Sequence, residues 1–246
     1  MGTFSFASAF GQREASGITT VGEQYLFAAA NAERAQRGLP ELHWDAALYE
    51  AAEFHAREMA ARGSISHQFP GEPELAARAR DSGARFSVIA ENVAEAPTAV
   101  RIHAAWMASA GHRSNLLDPR VNAVGIRVLQ RDRELYAVED FSRAVESVSI
   151  EAQEEQVREA VMAASKVTLM PASGDARQTC AMETGYAGPR RPGFVMRYTT
   201  TDLTRLPQSL LKQLAEGRYR WAMIGACAAT GDTTFSSYRV ALLLYP

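Results

Sequence analysis

Apolar positions in the first half of the chain recur at helical spacing, in blocks closed by recognisable caps. Between Thr20 and about Arg37, alanines and Leu26 supply helix propensity. Thr20 and Glu23 make a capping box there, and Gly38 followed by Leu39-Pro40 ends the block. A second helix is predicted from an Asp45 N-cap to Gly63, with Leu48, Ala52, His55 and Met59 on one face. A third covers residues 74–82 and stops at Gly83. A fourth starts near Pro97, a residue suited to a first helical turn, and ends around Ser109 before Gly111. Between these blocks the period changes. Residues 86–93 are β-branched and aromatic, and residues 121–129 and 135–141 read as a hairpin around Gln130-Arg131-Asp132-Arg133. Several helices and a few strands closing in a hairpin predict a mixed α/β arrangement with helices layered on a sheet.

After Ser142 the pattern starts again. Ser149 is placed to cap a helix whose start carries Glu151, Glu154 and Glu155, where negative charge suits the helix dipole. A strand at 166–170, a Gly/Pro-rich stretch at 185–193, a strand at 194–199, a helix at 207–216 and strands at 220–229 and 237–245 follow. These make a small α+β domain of their own over residues 150–246, with the boundary at 143–150 and the first domain at 18–143. No internal repeat or low-complexity tract is visible.

Composition narrows the function classes. A chain of 246 residues that is 47% apolar can bury a sizeable core in one large or two small domains. The net charge of -2, with acids and bases interleaved, excludes the basic footprint of a nucleic-acid binder and a polybasic membrane anchor. No apolar run is long enough for a transmembrane segment. The two cysteines, Cys180 and Cys227, are an even pair outside any C-x-x-C spacing, which favours a disulfide and an oxidising compartment over two buried free thiols. Residues 1–12 lack the positive and apolar regions of a complete secretory signal, although Ala7-Ser8-Ala9 has the small-x-small form of a cleavage site. Residues 1–17 are therefore expected to be flexible, with a leader truncated or absent.

All five histidines lie before residue 113. His55 falls on an apolar helix face and is expected as a hydrogen-bonded core residue. His103 is expected to be structural or partly exposed, and His43 a surface or turn residue. His67 and His112 stand at helix ends or in loops, and Glu91 follows an apolar strand, where an unpaired carboxylate would be expensive. Two imidazoles and a carboxylate serve mutual hydrogen bonding, a divalent cation or general acid/base work, and spacing alone does not choose among these.

Residues 20–143 resemble the CAP superfamily (cysteine-rich secretory, antigen 5 and pathogenesis-related proteins; SCP-like domains) in its cysteine-free bacterial branch. The resemblance is carried by Asn31-Ala32-Glu33-Arg34-Ala35, Gly38-Leu39, Leu42-x-Trp44-Asp45, His55-Ala56-x-x-Met59, Ser66-His67 and Glu91-Asn92-Val93-Ala94. It continues through the run from Trp106 to Leu117, then Val124-Gly125-Ile126 and Glu139-Asp140-Phe141. It implies a three-layer α-β-α sandwich with a surface cavity floored by two histidines and two glutamates, of which His67, Glu91 and His112 match three. The fourth glutamate of the family falls at Ser109, so the tetrad is reduced to a triad, with Asp140 as a candidate substitute.

The resemblance implies a secreted module, extracellular or periplasmic, whose cavity binds zinc or another divalent metal through His67, His112 and Glu91, or else a small hydrophobic or lipid-like ligand. A hydrolase using Ser109 or Ser114 or a metal-bound water ranks below this, since neither serine sits in a nucleophile elbow. A cell-envelope interaction module, with residues 150–246 facing a partner protein, is the third class.

Overall fold

The computed structural model describes residues 20–171, 174–229 and 235–246. The expected leader and flexible start lie outside the described residues. The chain divides into two units, the first running to Ala84 and resuming over Val88–Arg143, the second formed by Arg85–Ser87 with Ala144–Pro246.

The first unit contains α1 (Val21–Ala35), β1 (His43–Trp44), α2 (Ala46–Arg62), α3 (Leu75–Asp81), β2 (Phe86–Ala96), α4 (Ala99–Ala108), α5 (Ala110–Leu116), β3 (Ala123–Arg131) and β4 (Glu134–Ala144). The caps form as expected. Thr20 and Glu23 exchange both capping-box hydrogen bonds, and the Asp45 side chain accepts from Ala47 and Leu48 N–H. Gly63 closes α2 at φ 65°, a left-handed conformation that favours glycine. Thr98 caps α4, so Pro97 lies just before the helix and not in its first turn. The four strands lie in the order β1-β3-β4-β2, with β1 parallel to β3 and β3 antiparallel to β4. The predicted hairpin closes more tightly than expected. Arg131 pairs with Glu134 across a two-residue turn, where Asp132 takes φ 54°.

Strand alternation sends side chains to two cores on opposite faces of this sheet. Val124, Ile126 and Val128 of β3 and Ala137 and Phe141 of β4 pack with Leu26, Ala30, Ile102 and Trp106 of α1 and α4. Tyr136 and Val138 of β4 and Val93 of β2 pack with Ala52, Ala56 and Met59 of α2. The result is a helix–sheet–helix sandwich. On its α2 face, Gly125 lets the helix approach so closely that an added Cβ would lie within 3.0 Å of Leu48 and Tyr49 backbone atoms.

The second unit contains α6 (Ile150–Ala164), β5 (Thr168–Leu169), α7 (Gly174–Ala181), β6 (Phe194–Thr200), α8 (Gln208–Ala215), β7 (Trp221–Cys227) and β8 (Tyr238–Tyr245). Its sheet order is β5-β7-β8-β6. Ser149 caps α6 by accepting from Ala152 N–H. Cys180 on α7 and Cys227 at the end of β7 form the expected disulfide.

Three elements depart from the sequence expectation. α7 falls where the sequence pattern predicts no regular element. β1, which holds His43, has two residues, too few for any periodicity to register. α5 lies where Gly111 and Ser114-Asn115, which favour turns in isolation, predict a turn. Tertiary contacts settle it: the buried Arg34 guanidinium donates to Leu116 O, Asp118 O and Val121 O, clamping the end of α5 to the entry of β3.

Candidate imidazole–carboxylate site

Glu91 stands near the middle of β2, where alternation directs it to the α2 face between Val93 and the loop that follows α2. Its side chain is 3% exposed, and both oxygens have charged or polar partners. Oε1 accepts from His67 Nδ1 at 2.8 Å, and Oε2 accepts from the Arg78 guanidinium. Arg78 projects from α3, is itself 1% exposed, and lies 3.5 Å from Glu72 Oε1. Glu72 in turn receives His55 Nδ1 at 2.6 Å and Phe69 N–H at 3.0 Å. A buried chain therefore runs from His55 through Glu72 and Arg78 to Glu91, and surfaces at His67, whose side chain is 61% exposed.

The loop carrying His67 is tied down on both sides. His55 Nε2 lies 2.7 Å from Ser66 O, and Gln68 Nε2 donates to Glu72 O. His55 is thus the buried, hydrogen-bonded residue expected, and it fixes the residue next to His67. His112 arrives from α5. Asn92 Nδ2 donates to His112 O, and Asn115 Nδ2 donates to Glu91 O and Asn92 Oδ1, so paired asparagines dock α5 on β2. The His112 ring centroid lies 6.3 Å from that of His67. Among the described residues, neither ring nitrogen of His112 nor His67 Nε2 has a hydrogen-bond partner.

The electrostatics follow from these contacts. The hydrogen bond to Glu91 raises the His67 pKa, against an opposing effect of burial. Burial, assisted by the neighbouring His67, lowers that of His112. Beneath the pair, Asp140 is fully buried, with no hydrogen-bond donor on either oxygen, and lies against Glu91. Burial first, and then the Glu91 carboxylate, hold Asp140 well above the usual carboxylate range. Adjacent buried carboxyls cannot both ionise cheaply. On the opposite sheet face, burial pushes Glu139 up to about 8, although the Asn92 amide donates to it at 3.3 Å.

Of the five residues expected in the cavity, His67, Glu91 and His112 come together, and Asp140 lies directly behind Glu91. Ser109 has a different task. It is the N-cap of α5, its hydroxyl accepting from His112 N–H at 3.5 Å. Among the described residues, no group of three or more His, Cys, Asp or Glu is gathered to hold a metal ion. Sequence reasoning missed Arg78 and Glu72, which carry the buried charges. An Ala-Arg-Ala-Arg stretch reads as an ordinary solvated helix, and nothing in it marks Arg78 as the buried arginine. Asn92 and Asn115 lay inside the quoted motif stretches without an assigned role.

Residues 27–141, the stretch that holds this site, match the cysteine-rich secretory protein family, CAP. The chain is 30% identical over 105 residues to the uncharacterized protein YkwD of Bacillus subtilis (strain 168). That match covers 42% of this chain and 41% of the relative, so it spans less than half of either. Among solved structures the chain is similar to an outer surface protein from Borrelia burgdorferi, at 21% identity over 50% of this chain and 92% of that one, with a TM-score of 0.47. It is also similar to an extracellular SCP-domain protein from Bacillus anthracis str. Ames, at 28% identity over 52% and 45% of the two chains, with a TM-score of 0.45. Among the described residues no helix is long and apolar enough to cross a membrane.

Proposed function

We propose that the CAP domain is a binding module in an oxidising, extracytoplasmic compartment, and that His67 and His112 hold a divalent cation of the zinc type. One observation carries the reading. His67 Nδ1 is committed to Glu91, which leaves Nε2 as the free nitrogen beside a second imidazole. This is the carboxylate–imidazole arrangement that orients metal ligands. One tetrahedral ion bound by two imidazoles at about 2.0–2.1 Å sets ring centroids about 5.2 Å apart, so the pair, observed at 6.3 Å, closes by about 1 Å on binding. Glu91 then orients a ligand instead of being one, because Arg78 and His67 already occupy its oxygens. The cation would supply a charged, water-bearing coordination centre for a further ligand. The disulfide supports the compartment.

Calorimetric titration of metal-free protein with Zn²⁺ tests this. The expected result is one ion per chain, with affinity lost by more than about 10-fold in His67→Ala and in His112→Ala. Glu91→Gln should lose roughly 10–100-fold through the outer sphere. A protonated imidazole has no lone pair to donate, so binding should weaken as pH falls. The raised pKa of His67 places the start of that loss above the pH at which a free imidazole would protonate. Wild-type affinity in both histidine variants would overturn the reading.

A further inference from the structure

The second unit lies outside the stretch that matches the family, yet its frame repeats that of the first. Both units begin with a 15-residue helix, α1 or α6, followed by a two-residue strand, β1 or β5. That strand runs parallel to the first strand of the closing hairpin, β3 or β7. The sheet orders, β1-β3-β4-β2 and β5-β7-β8-β6, are the same permutation. The layers correspond as well. Val157 and Val161 of α6 and Leu210 and Leu214 of α8 cover one face of the second sheet, as α1 and α4 do in the first. Ala176 and Cys180 of α7 cover the other, as α2 does.

Two local devices recur in both units, the glycine and the glutamate-bonded amide standing three residues apart in β3 and one apart in β7. Gly225 of β7 admits α7 so closely that an added Cβ would lie within 3.0 Å of Ala176 and Arg177 backbone atoms, as Gly125 of β3 does for α2. The buried Glu23 of α1 accepts from Val128 N–H of β3 at 3.0 Å, and the buried Glu154 of α6 accepts from Ala226 N–H of β7 at 3.0 Å. An acceptor buried in a helix and spent on a strand amide is a costly arrangement to reach twice by chance.

What differs is the chemistry. Gly125 pairs with Asp140 across the first hairpin, whereas Gly225 pairs with Ala241 across the second, and Val240 stands at the place of Glu139. On the edge strand, Arg197 pairs with Ala241 where the first unit sets Glu91 against Asp140. Among the described residues, the second unit has no counterpart of α3 or α5, the helices that bring Arg78 and His112. No histidine lies after residue 112.

We propose that residues 144–246 are a second copy of the CAP frame, stripped of the imidazole–carboxylate site, so that the chain is a two-repeat protein with one site. α3, α5 and the His67 loop are the additions that turn the shared frame into a binding domain.

The test uses the full chain and hydrogen exchange read by mass spectrometry or NMR. Glu154→Met, which removes the acceptor at similar volume, should cost the Ala226 amide and the α6–β7 contact about 10-fold in protection. Glu23→Met should do the same for Val128 and the α1–β3 contact, each effect staying within its own unit. Gly225→Ala and Gly125→Ala should loosen α7 and α2 in the same paired way. Unchanged protection at Ala226 in Glu154→Met, or at α7 in Gly225→Ala, would overturn the repeat. With Zn²⁺ as probe, protection should rise around His67 and His112 and nowhere in residues 144–246. Zinc-dependent protection in that stretch would overturn the stripped copy. If zinc binds nowhere, the cation reading of the first unit fails, while the amide measurements still decide the repeat.

Discussion

Replacing Arg78 with methionine is expected to destabilise the first unit by about 3–5 kcal/mol. Arg78 is an arginine with its side chain 1% exposed, placed between Glu72 and Glu91, themselves 2% and 3% exposed. Removing the guanidinium leaves two buried carboxylates facing each other without the cation that offsets their desolvation. Methionine keeps most of the volume, so the loss reports charge and not a cavity. The control is the triple change Arg78→Met, Glu72→Gln, Glu91→Gln, which removes the uncompensated charges and should recover part of the stability. Urea unfolding followed by a probe in the first unit measures both. A loss below about 1 kcal/mol, typical of an exposed ion pair, would mean that the buried chain from His55 to His67 is not formed.

Stability is also expected to fall by a few kcal/mol as the pH is raised from about 5 to 9. Glu139 is fully buried, and its pKa is pushed up to about 8 by burial. Asp140 is raised in the same direction. A carboxyl with a raised folded-state pKa holds its proton in the native state and loses it in the unfolded chain. Its contribution is therefore complete below the ordinary carboxylate pKa and is lost as the pH rises through the folded value. For a unit of this size the melting temperature should drop by about 5–10 °C across that window. Glu139→Gln keeps the shape and the acceptor for the Asn92 amide while removing the titration, so its stability should vary much less with pH. A wild-type curve that is flat from pH 5 to 9 would contradict the assignment of Glu139 as a neutral acid at neutral pH.

Much of the frame was legible because its signals are local. The Thr20–Glu23 box, the Asp45 and Ser149 caps, Gly63 and the β3–β4 hairpin each declare themselves within a few residues, and each forms. Of the site, His67, Glu91 and His112 could be named from the family motif. What they do could not be read, because it depends on Arg78 and Glu72, which reach them only through the fold. The family pattern puts Ser109 at an empty corner of the cavity, and the structure gives it a helix cap. The repeat was invisible for a different reason. Its shared features are a sheet permutation, two close-packed glycines and two buried glutamates, while the apolar residues of the two cores are interchangeable and carry no common pattern.

Glu91 orients His67 so that its free nitrogen stands alongside His112. Long-range ¹⁵N–¹H correlation of the imidazole nitrogens, recorded with and without Zn²⁺ at neutral pH, tests this most directly. His67 Nδ1 is expected to stay protonated against Glu91 in both states, while His67 Nε2 and a ring nitrogen of His112 shift together on addition of the ion. Zinc-dependent shifts confined to His43 or His103, or a His67 ring protonated at Nε2 and bare at Nδ1, would contradict it.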